Sequence, residues 1–340
     1  MAKYAFIAAI EYVLPEQQLT NQDLAAEFAG WGVDKIFQKT GIATRHIAAK
    51  DECASDLAVA AAQRLFEQAA IAPSQIDYII YCTQSPDYVL PATSCVIQNR
   101  LGIPVHCGAI DVNQGCSGFV YSLGLAKALV ESGQATNVLV LTAETYSKYI
   151  NPRDKSVRTL FGDAATATLV SVCESDKPFL HSFYYGSDGS GAPNLIVPAG
   201  GSRLPLGLKS YVESEDDSGN FRSDADLYMN GAEVFAFTLK SVPSLVSEVL
   251  SRSGLQLEDV DYFVPHQANK FMLDAITKRI GIPDSKTVRA YESCGNTVSC
   301  TIPIALVTAR QEGHFAAGNK LLLAGFGVGY SWAGCIVEWR

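Results

Sequence analysis

Residues 110–133, IDVNQGCSGFVYSLGLAKALVESG, lie without a gap on residues 290–313, AYESCGNTVSCTIPIALVTARQEG, and the overlay sets Cys116 on Asn296. Two further stretches repeat in the same order. AAIAPSQIDYIIYC (69–82) answers SGLQLEDVDYFVPH (253–266), and NVLVLTA (137–143) answers NKLLLAG (319–325), so the three offsets are 180, 184 and 182 residues. A similarity seen once at so long a separation marks two related half-domains rather than a solenoid, whose period runs ~20–50 residues. The expected division is a first half, 1–175, and a second half, 176–340.

The local pattern fits one α/β unit in each half. Apolar runs of strand length (79–82, 138–142, 166–172, 261–265, 320–324) alternate with stretches of helical spacing (54–70, 117–132, 232–252, 269–280, 298–312). That alternation predicts sheets covered by helices. The segment 186–230 breaks it: rich in Gly, Ser, Asp and Pro and carrying the acidic run ESEDD, it reads as an irregular surface excursion that covers a site mouth.

With 340 residues, 48% of them hydrophobic and 18% charged, the chain can bury a large core. Its apolar opening, YAFIAAI, is interrupted at Glu11, too short for a signal-peptide core or a membrane span, so a soluble, cytoplasmic protein is expected. Nine cysteines with no Cys-x-x-Cys pair, several inside apolar runs (Cys82, Cys173, Cys335), read as reduced thiols. A net charge of -9 without a long basic tract argues against nucleic acid as the main partner.

The repeat carries chemistry. In each half a strand-like segment is expected to end at a glycine (Gly115, Gly295), followed at once by Cys116 or Asn296 and then by a helix. A helix N-terminus offers about half a positive charge and unpaired N–H groups, which favours a thiolate over a thiol. If an approximate twofold axis relates the halves, Cys116 and Asn296 face each other across one cavity. His266, at the end of VDYFVPH, completes a nucleophile, a charge-holding group and an amide donor. A single cysteine is more often buried filler, a single histidine structural, and an asparagine after glycine a helix cap. The matched repeat slots set Cys116 and Asn296 apart from those readings.

At these residues the chain resembles the β-ketoacyl-acyl-carrier-protein synthase III family of the thiolase superfamily. The motifs are TGIATRHIA (40–48), LPATSCVIQNRLGI (90–103), DVNQGCSGFVYSL (111–123), LFGDAATA (160–167), VPHQAN (264–269), CGNTVSCTIPIAL (294–306) and GFGVGYSW (325–332). The resemblance implies a duplicated five-layered α/β/α/β/α thiolase fold with two mixed sheets around central helices, in a homodimer. It implies Cys116 as the acyl-accepting nucleophile, backbone N–H groups of Cys116 and Val328 as the first oxyanion site, and His266 with Asn296 as the condensation pair. The reaction it implies is a decarboxylating condensation of an acyl thioester with malonyl-acyl carrier protein, with no metal or redox cofactor.

Other positions follow from the same resemblance. Lys39, Leu90, Arg158, Phe235 and Asn269 fall where the family contacts the thioester substrate and its pantetheine arm. Lys270, Lys278 and Arg279 fall on the helix that helps dock the acidic carrier protein; on residues alone they are equally a solvated helix face. The chain departs from the family at two adenine-holding slots, where Lys35 and Lys155 replace a Trp and an Arg, and a lysine supplies neither a stacking plane nor a planar fork. Leu90 replaces a Phe that closes the acyl pocket across the dimer, which points to a donor other than acetyl. GFGVGY lacks the G-x-G-x-x-G spacing and leaves no room for a following helix before Arg340, which excludes a dinucleotide loop. Three alternatives stay open: a plant-type polyketide synthase, an acyltransferase to an alcohol or amine without decarboxylation, and a non-catalytic partner subunit.

Overall fold

In a computed structural model of the chain, which describes residues 2–340, two mixed sheets sandwich a pair of helices and carry further helices on their outer faces. The first sheet contains β1 (Ala2–Val13), β2 (Tyr78–Cys82), β3 (Gly108–Val112), β4 (Asn137–Glu144) and β5 (Ala164–Ser175), in the spatial order β1-β5-β4-β2-β3. The second contains β6 (Leu180–Ser187), β7 (Tyr262–Pro265), β8 (Lys320–Gly327) and β9 (Ser331–Glu338), in the order β6-β9-β8-β7. Strand direction repeats as well. β1 and β4 flank β5 antiparallel while β2 and β4 run parallel, with Tyr78 opposite Val138. Likewise β6 and β8 flank β9 antiparallel while β7 and β8 run parallel, with Tyr262 opposite Leu321.

Helix composition follows position in the layers. α1 (Ala54–Ala69) and α2 (Thr93–Arg100) lie against the first sheet; α1 buries an alanine-rich face on β1, β4 and β5. α3 (Gly118–Glu131) and α6 (Thr301–Gln311) run between the sheets, and residues Thr301 to Val307 are buried without interruption. Small residues let α3 fit there: a Cβ on Gly118 would lie 2.3 Å from the Cys82 sulfur, and one on Gly124 would lie 1.9 Å from the Tyr185 hydroxyl. α4 (Gly231–Ser253) and α5 (Lys270–Ile280) cover the outer face of the second sheet. α4 is long and apolar enough to cross a membrane, yet its apolar side packs on β6, β8, β9 and α5. The layers are thus α/β/α/β/α.

Two expectations need correction. No strand precedes Gly295: the counterpart of β3 is reduced to one bridge, Thr287 beside Phe263. Val288 still donates to the Phe263 carbonyl, but the next N–H available for a ladder, that of Ala290, is taken by the Gln267 side chain at 2.9 Å. The helix after Asn296 also begins late, at Thr301, behind a short 3-10 turn over Val298–Cys300. The 186–230 segment, in turn, is partly regular. It starts as the end of β6 and holds two small antiparallel pairs, Leu195–Ile196 with Tyr228–Met229 and Ser214–Glu215 with Phe221–Arg222.

Candidate active site

Cys116 occupies the tight turn between β3 and α3. Gly118 N–H donates to the Gly115 carbonyl at 2.8 Å, and the Ser117 hydroxyl meets that of Ser331 at 2.7 Å, which joins the turn to the second half. The end of β8 passes directly over the sulfur. A Cβ at Gly327 would lie 2.8 Å from Sγ, and one at Gly325 would lie 2.9 Å from the Cys116 carbonyl oxygen, so the GFG run provides an approach that side chains would block. Burial pushes the Cys116 thiol up to about 12; the Glu144 carboxylate adds to the rise, while backbone N–H groups of Val328 and of Cys116 itself oppose it. Those two N–H groups are the pair expected at the oxyanion.

His266 follows the last residue of β7 and is anchored by its N–H to the Ala324 carbonyl at 2.8 Å. Its ring meets Phe326 edge-on, at 5.4 Å between centroids and 83° between planes. Nδ1 lies 2.7 Å from the Thr301 hydroxyl, which is also 3.0 Å from the Val298 carbonyl. Burial pulls the imidazole down to about 3, partly offset by the Val298 carbonyl, so the ring is neutral at physiological pH.

Asn296 is placed by backbone from the other half. Its N–H donates to Leu160 at 2.9 Å, and its carbonyl accepts from Gly162 at 3.0 Å. Its Oδ1 accepts from Val298 N–H at 3.0 Å, which leaves the Nδ2 hydrogens as donors. Gly295 has φ +73°, and a Cβ there would lie 2.7 Å from the Leu160 carbonyl. Val298 has φ +56°, an uncommon conformation for a β-branched residue, fixed by the surrounding bonds.

Cys116, His266 and Asn296 line one cavity of about 200 Å³. Its walls are apolar, with Phe161, Leu195 and Met229 in the cluster that packs around Cys116, and Phe326 beside His266. Phe235 and Asn269 line it too; Phe235 stacks on the exposed Phe271 at 5.0 Å, while Asn269 also caps α5 by accepting from Met272 N–H at 2.9 Å. Lys39, Leu90 and Arg158 do not line it. Lys39 and Lys35 lie over the Trp31 ring, Lys155 donates to the Ser218 carbonyl at 2.6 Å, and Arg158 is paired with Glu27. Leu90 is 79% exposed. On α5, Lys270 pairs with Asp274, whereas Lys278 and Arg279 are exposed. Sequence reading missed Thr301 and Leu195, whose roles depend on contacts made far along the chain. It also missed Glu144, whose signal was legible: an acid ending the apolar run NVLVLTAE.

Comparison with known proteins agrees with this geometry. Residues 110–189 match the family model for 3-oxoacyl-[acyl-carrier-protein] synthase III, and residues 250–339 match that for its C-terminal part. A curated relative from Caldanaerobacter subterraneus subsp. tengcongensis, named beta-ketoacyl-[acyl-carrier-protein] synthase III, is 40% identical over 96% of this chain and 95% of its own. One of the same name from Methylococcus capsulatus is 36% identical over the whole of both. A 2.1 Å crystal structure of a 3-oxoacyl-(acyl-carrier-protein) synthase III is 55% identical, with a TM-score of 0.98 over 99% of this chain and 100% of that one. The Thermus thermophilus enzyme is 34% identical, with a TM-score of 0.86 over 98% and 99%. The chain belongs to the 3-oxoacyl-[acyl-carrier-protein] synthase III family of acyl-transferring condensing enzymes, and its fold is the thiolase fold.

Proposed function

We propose that Cys116, His266 and Asn296 carry out a decarboxylating Claisen condensation between an acyl thioester and malonyl-acyl carrier protein. The observation that carries the assignment is their convergence on one apolar cavity of about 200 Å³, with the free donor of Asn296 available to it. In the first half-reaction the Cys116 sulfur attacks the donor carbonyl, and the N–H groups of Cys116 and Val328 hold the tetrahedral oxyanion. The C–S bond to the donor breaks, and the departing thiolate takes up the proton lost by Cys116. The charge of the α3 N-terminus favours the attacking thiolate. In the second, a malonyl thioester loses CO2, and the electron pair released moves onto its carbonyl oxygen, held by His266 Nε2–H and Asn296 Nδ2–H. The resulting enolate attacks the acyl carbonyl on Cys116, the C–S bond to Cys116 breaks, and a 3-oxoacyl thioester leaves while the Cys116 thiolate takes a proton from solvent. The substrates are thioesters of coenzyme A or acyl carrier protein, and the chemistry asks for no further cofactor.

The division at residue 175 accords with sheet membership, since β1–β5 lie before it and β6–β9 after it. A homodimer is the proposed assembly. β3 pairs on one side only, and the exposed apolar Tyr88, Val89, Leu90 and Val105 belong to the segments leading toward it. A second copy paired along β3 would cover that edge and bring Leu90 toward the neighbouring cavity. Lys278 and Arg279, with Lys270 nearer the cavity rim, are the proposed contacts for the acidic carrier, and a soluble cytoplasmic setting suits such a partner. The hairpin held by Lys155 and the lysines over Trp31 disfavour adenine stacking in those slots, so an acyl carrier protein is the preferred first donor.

Intact-protein mass spectrometry with a panel of acyl-CoA and acyl-carrier donors tests the assignment. A Cys116-dependent mass gain that malonyl carrier protein discharges as a 3-oxoacyl product is the expected result. Discharge only by an alcohol or amine overturns condensation, and absence of any adduct overturns the nucleophile.

A further inference from the structure

Glu144, the last residue of β4, is fully buried, and the partners of its carboxylate are all neutral. A buried carboxylate is costly unless its surroundings compensate, and this one is met by three donors from two separate segments. Oε2 accepts the Gln84 N–H at 3.0 Å and the Ser85 hydroxyl at 3.2 Å, both just beyond β2. Oε1 accepts the Ser299 hydroxyl at 2.9 Å, three residues after Asn296 and inside the 3-10 turn that follows it. The Gln84 side chain in turn lies against the nucleophile's own turn: its Oε1 accepts the Tyr146 hydroxyl at 2.5 Å and would lie 2.6 Å from a Cβ on Gly115. One carboxylate therefore ties the wall behind Cys116 to the turn that presents Asn296.

We propose that Glu144 is a positioning residue of the condensation step, one oxygen holding the Asn296 turn through Ser299 and the other holding the nucleophile's wall through Gln84 and Ser85. This sets the distance at which the enolate on Asn296 meets the acyl group on Cys116. The inference rests on the roles assigned above to those two residues. It also gives Glu144 an electrical effect that a plain packing residue would lack. The charged or titratable groups facing it are Asp163 beside β5, Tyr81 and Cys82 on β2, Cys116, Cys300 behind Asn296, and the hydroxyls of Tyr146 and Tyr149, so no cation offsets it. Burial, with a smaller push from Asp163, raises its carboxyl to about 8, and the charge, once formed, opposes ionisation of Cys116.

Full-length Glu144→Ala, Glu144→Gln and Ser299→Ala test this against wild type. The two half-reactions are read apart: acyl capture by intact mass, and discharge of pre-acylated enzyme by malonyl carrier protein. Cys116 alkylation by iodoacetamide is followed from about pH 6 to 10. Glu144→Ala and Ser299→Ala are expected to slow discharge ~10-fold more than capture, and Glu144→Gln, which keeps an acceptor for Ser299, to slow it less. In Glu144→Gln the alkylation profile moves to lower pH; in Ser299→Ala, which keeps the charge, it stays near wild type. Equal loss in both half-reactions, no loss in either, or an unmoved Glu144→Gln profile overturns the proposal. Should Glu144→Ala fail to fold, the other two variants decide. Wild-type enzyme that captures acyl groups and does not discharge them would instead refute the condensation assignment, with the alkylation profiles still testing Glu144 on its own.

Discussion

Cys116 and Asn296 occupy the same slot of the repeat, and they are mounted differently. Cys116 stands between an intact strand, β3, and a helix beginning two residues later. Asn296 has neither neighbour: its strand is reduced to one bridge, its helix starts five residues on, and its backbone is bonded to Leu160 and Gly162 of the first half. The proposed nucleophile thus sits between regular elements of its own half, with the Ser117–Ser331 contact as a brace from the other, while the backbone of the proposed amide donor is held by bonds that cross between halves. A duplicated scaffold supplies two equivalent positions; loss of regularity at one of them lets a side chain turn toward the other.

That contrast predicts a separation of the half-reactions. Cys116→Ala should form no acyl adduct and lose condensation by ~10^4-fold or more. Asn296→Ala should still capture the acyl group at close to the wild-type rate while condensation slows ~10^2–10^3-fold, the scale set by removing one oxyanion donor. Single-turnover mass spectrometry reads both rates. Equal slowing of capture and condensation in Asn296→Ala would erase the distinction between the two mounts.

The two glycines sharpen it further. Gly295 has φ +73° and would direct a Cβ onto the Leu160 carbonyl, which is backbone and cannot yield. Gly115 lies outside the left-handed region, and its Cβ would meet the side chains of Val328 and Gln84, which can. Gly295→Ala should therefore cost ~2–3 kcal/mol of stability and Gly115→Ala ~1 kcal/mol, read from urea midpoints. The reverse order would place the strain in the wrong half.

Most of the layering was legible because its signals are local. The apolar runs that became β2, β4, β5, β7 and β8 and the periodic stretches that became α1, α3, α4 and α5 carry their own period and length. The missing second-half strand was not legible from the overlay: pairing ends after Val288, where the side chain of Gln267, from a distant loop, accepts the Ala290 N–H. Cys116, His266 and Asn296 were readable from repeat slots and motifs, and the structure brings all three to one cavity. Lys39 and Arg158 were placed by resemblance, whereas in the fold they answer to neighbours, Trp31 and Glu27, that no spacing rule names. Thr301 likewise acts on a residue thirty-five positions away.

The effect spread most thinly, over several pH units, follows from two buried groups with opposite habits. His266 titrates at about 3 in the fold against 6.5 ordinarily, so the unfolded chain takes the proton first, and stability present above pH 6.5 is lost as pH falls toward 3. Glu144 titrates at about 8 against 4.5 ordinarily, so the unfolded chain releases its proton first, and stability present below pH 4.5 is lost as pH rises toward 8. Each slope is at most ~1.4 kcal/mol per pH unit. Between pH 4.5 and 6.5 the two oppose and nearly cancel; below that window His266 acts alone, and above it Glu144 does. Urea midpoints measured across pH should therefore fall on both sides of a plateau; Glu144→Gln should abolish the alkaline fall and turn the plateau into a rise up to pH 6.5, and His266→Gln should abolish the acid fall and turn the plateau into a fall from pH 4.5. A wild-type midpoint that does not fall between pH 6.5 and 8, or a fall that Glu144→Gln leaves in place, would mean that the first half does not hold its buried carboxyl as a neutral acid, and the charge opposing Cys116 would then be in place already at neutral pH.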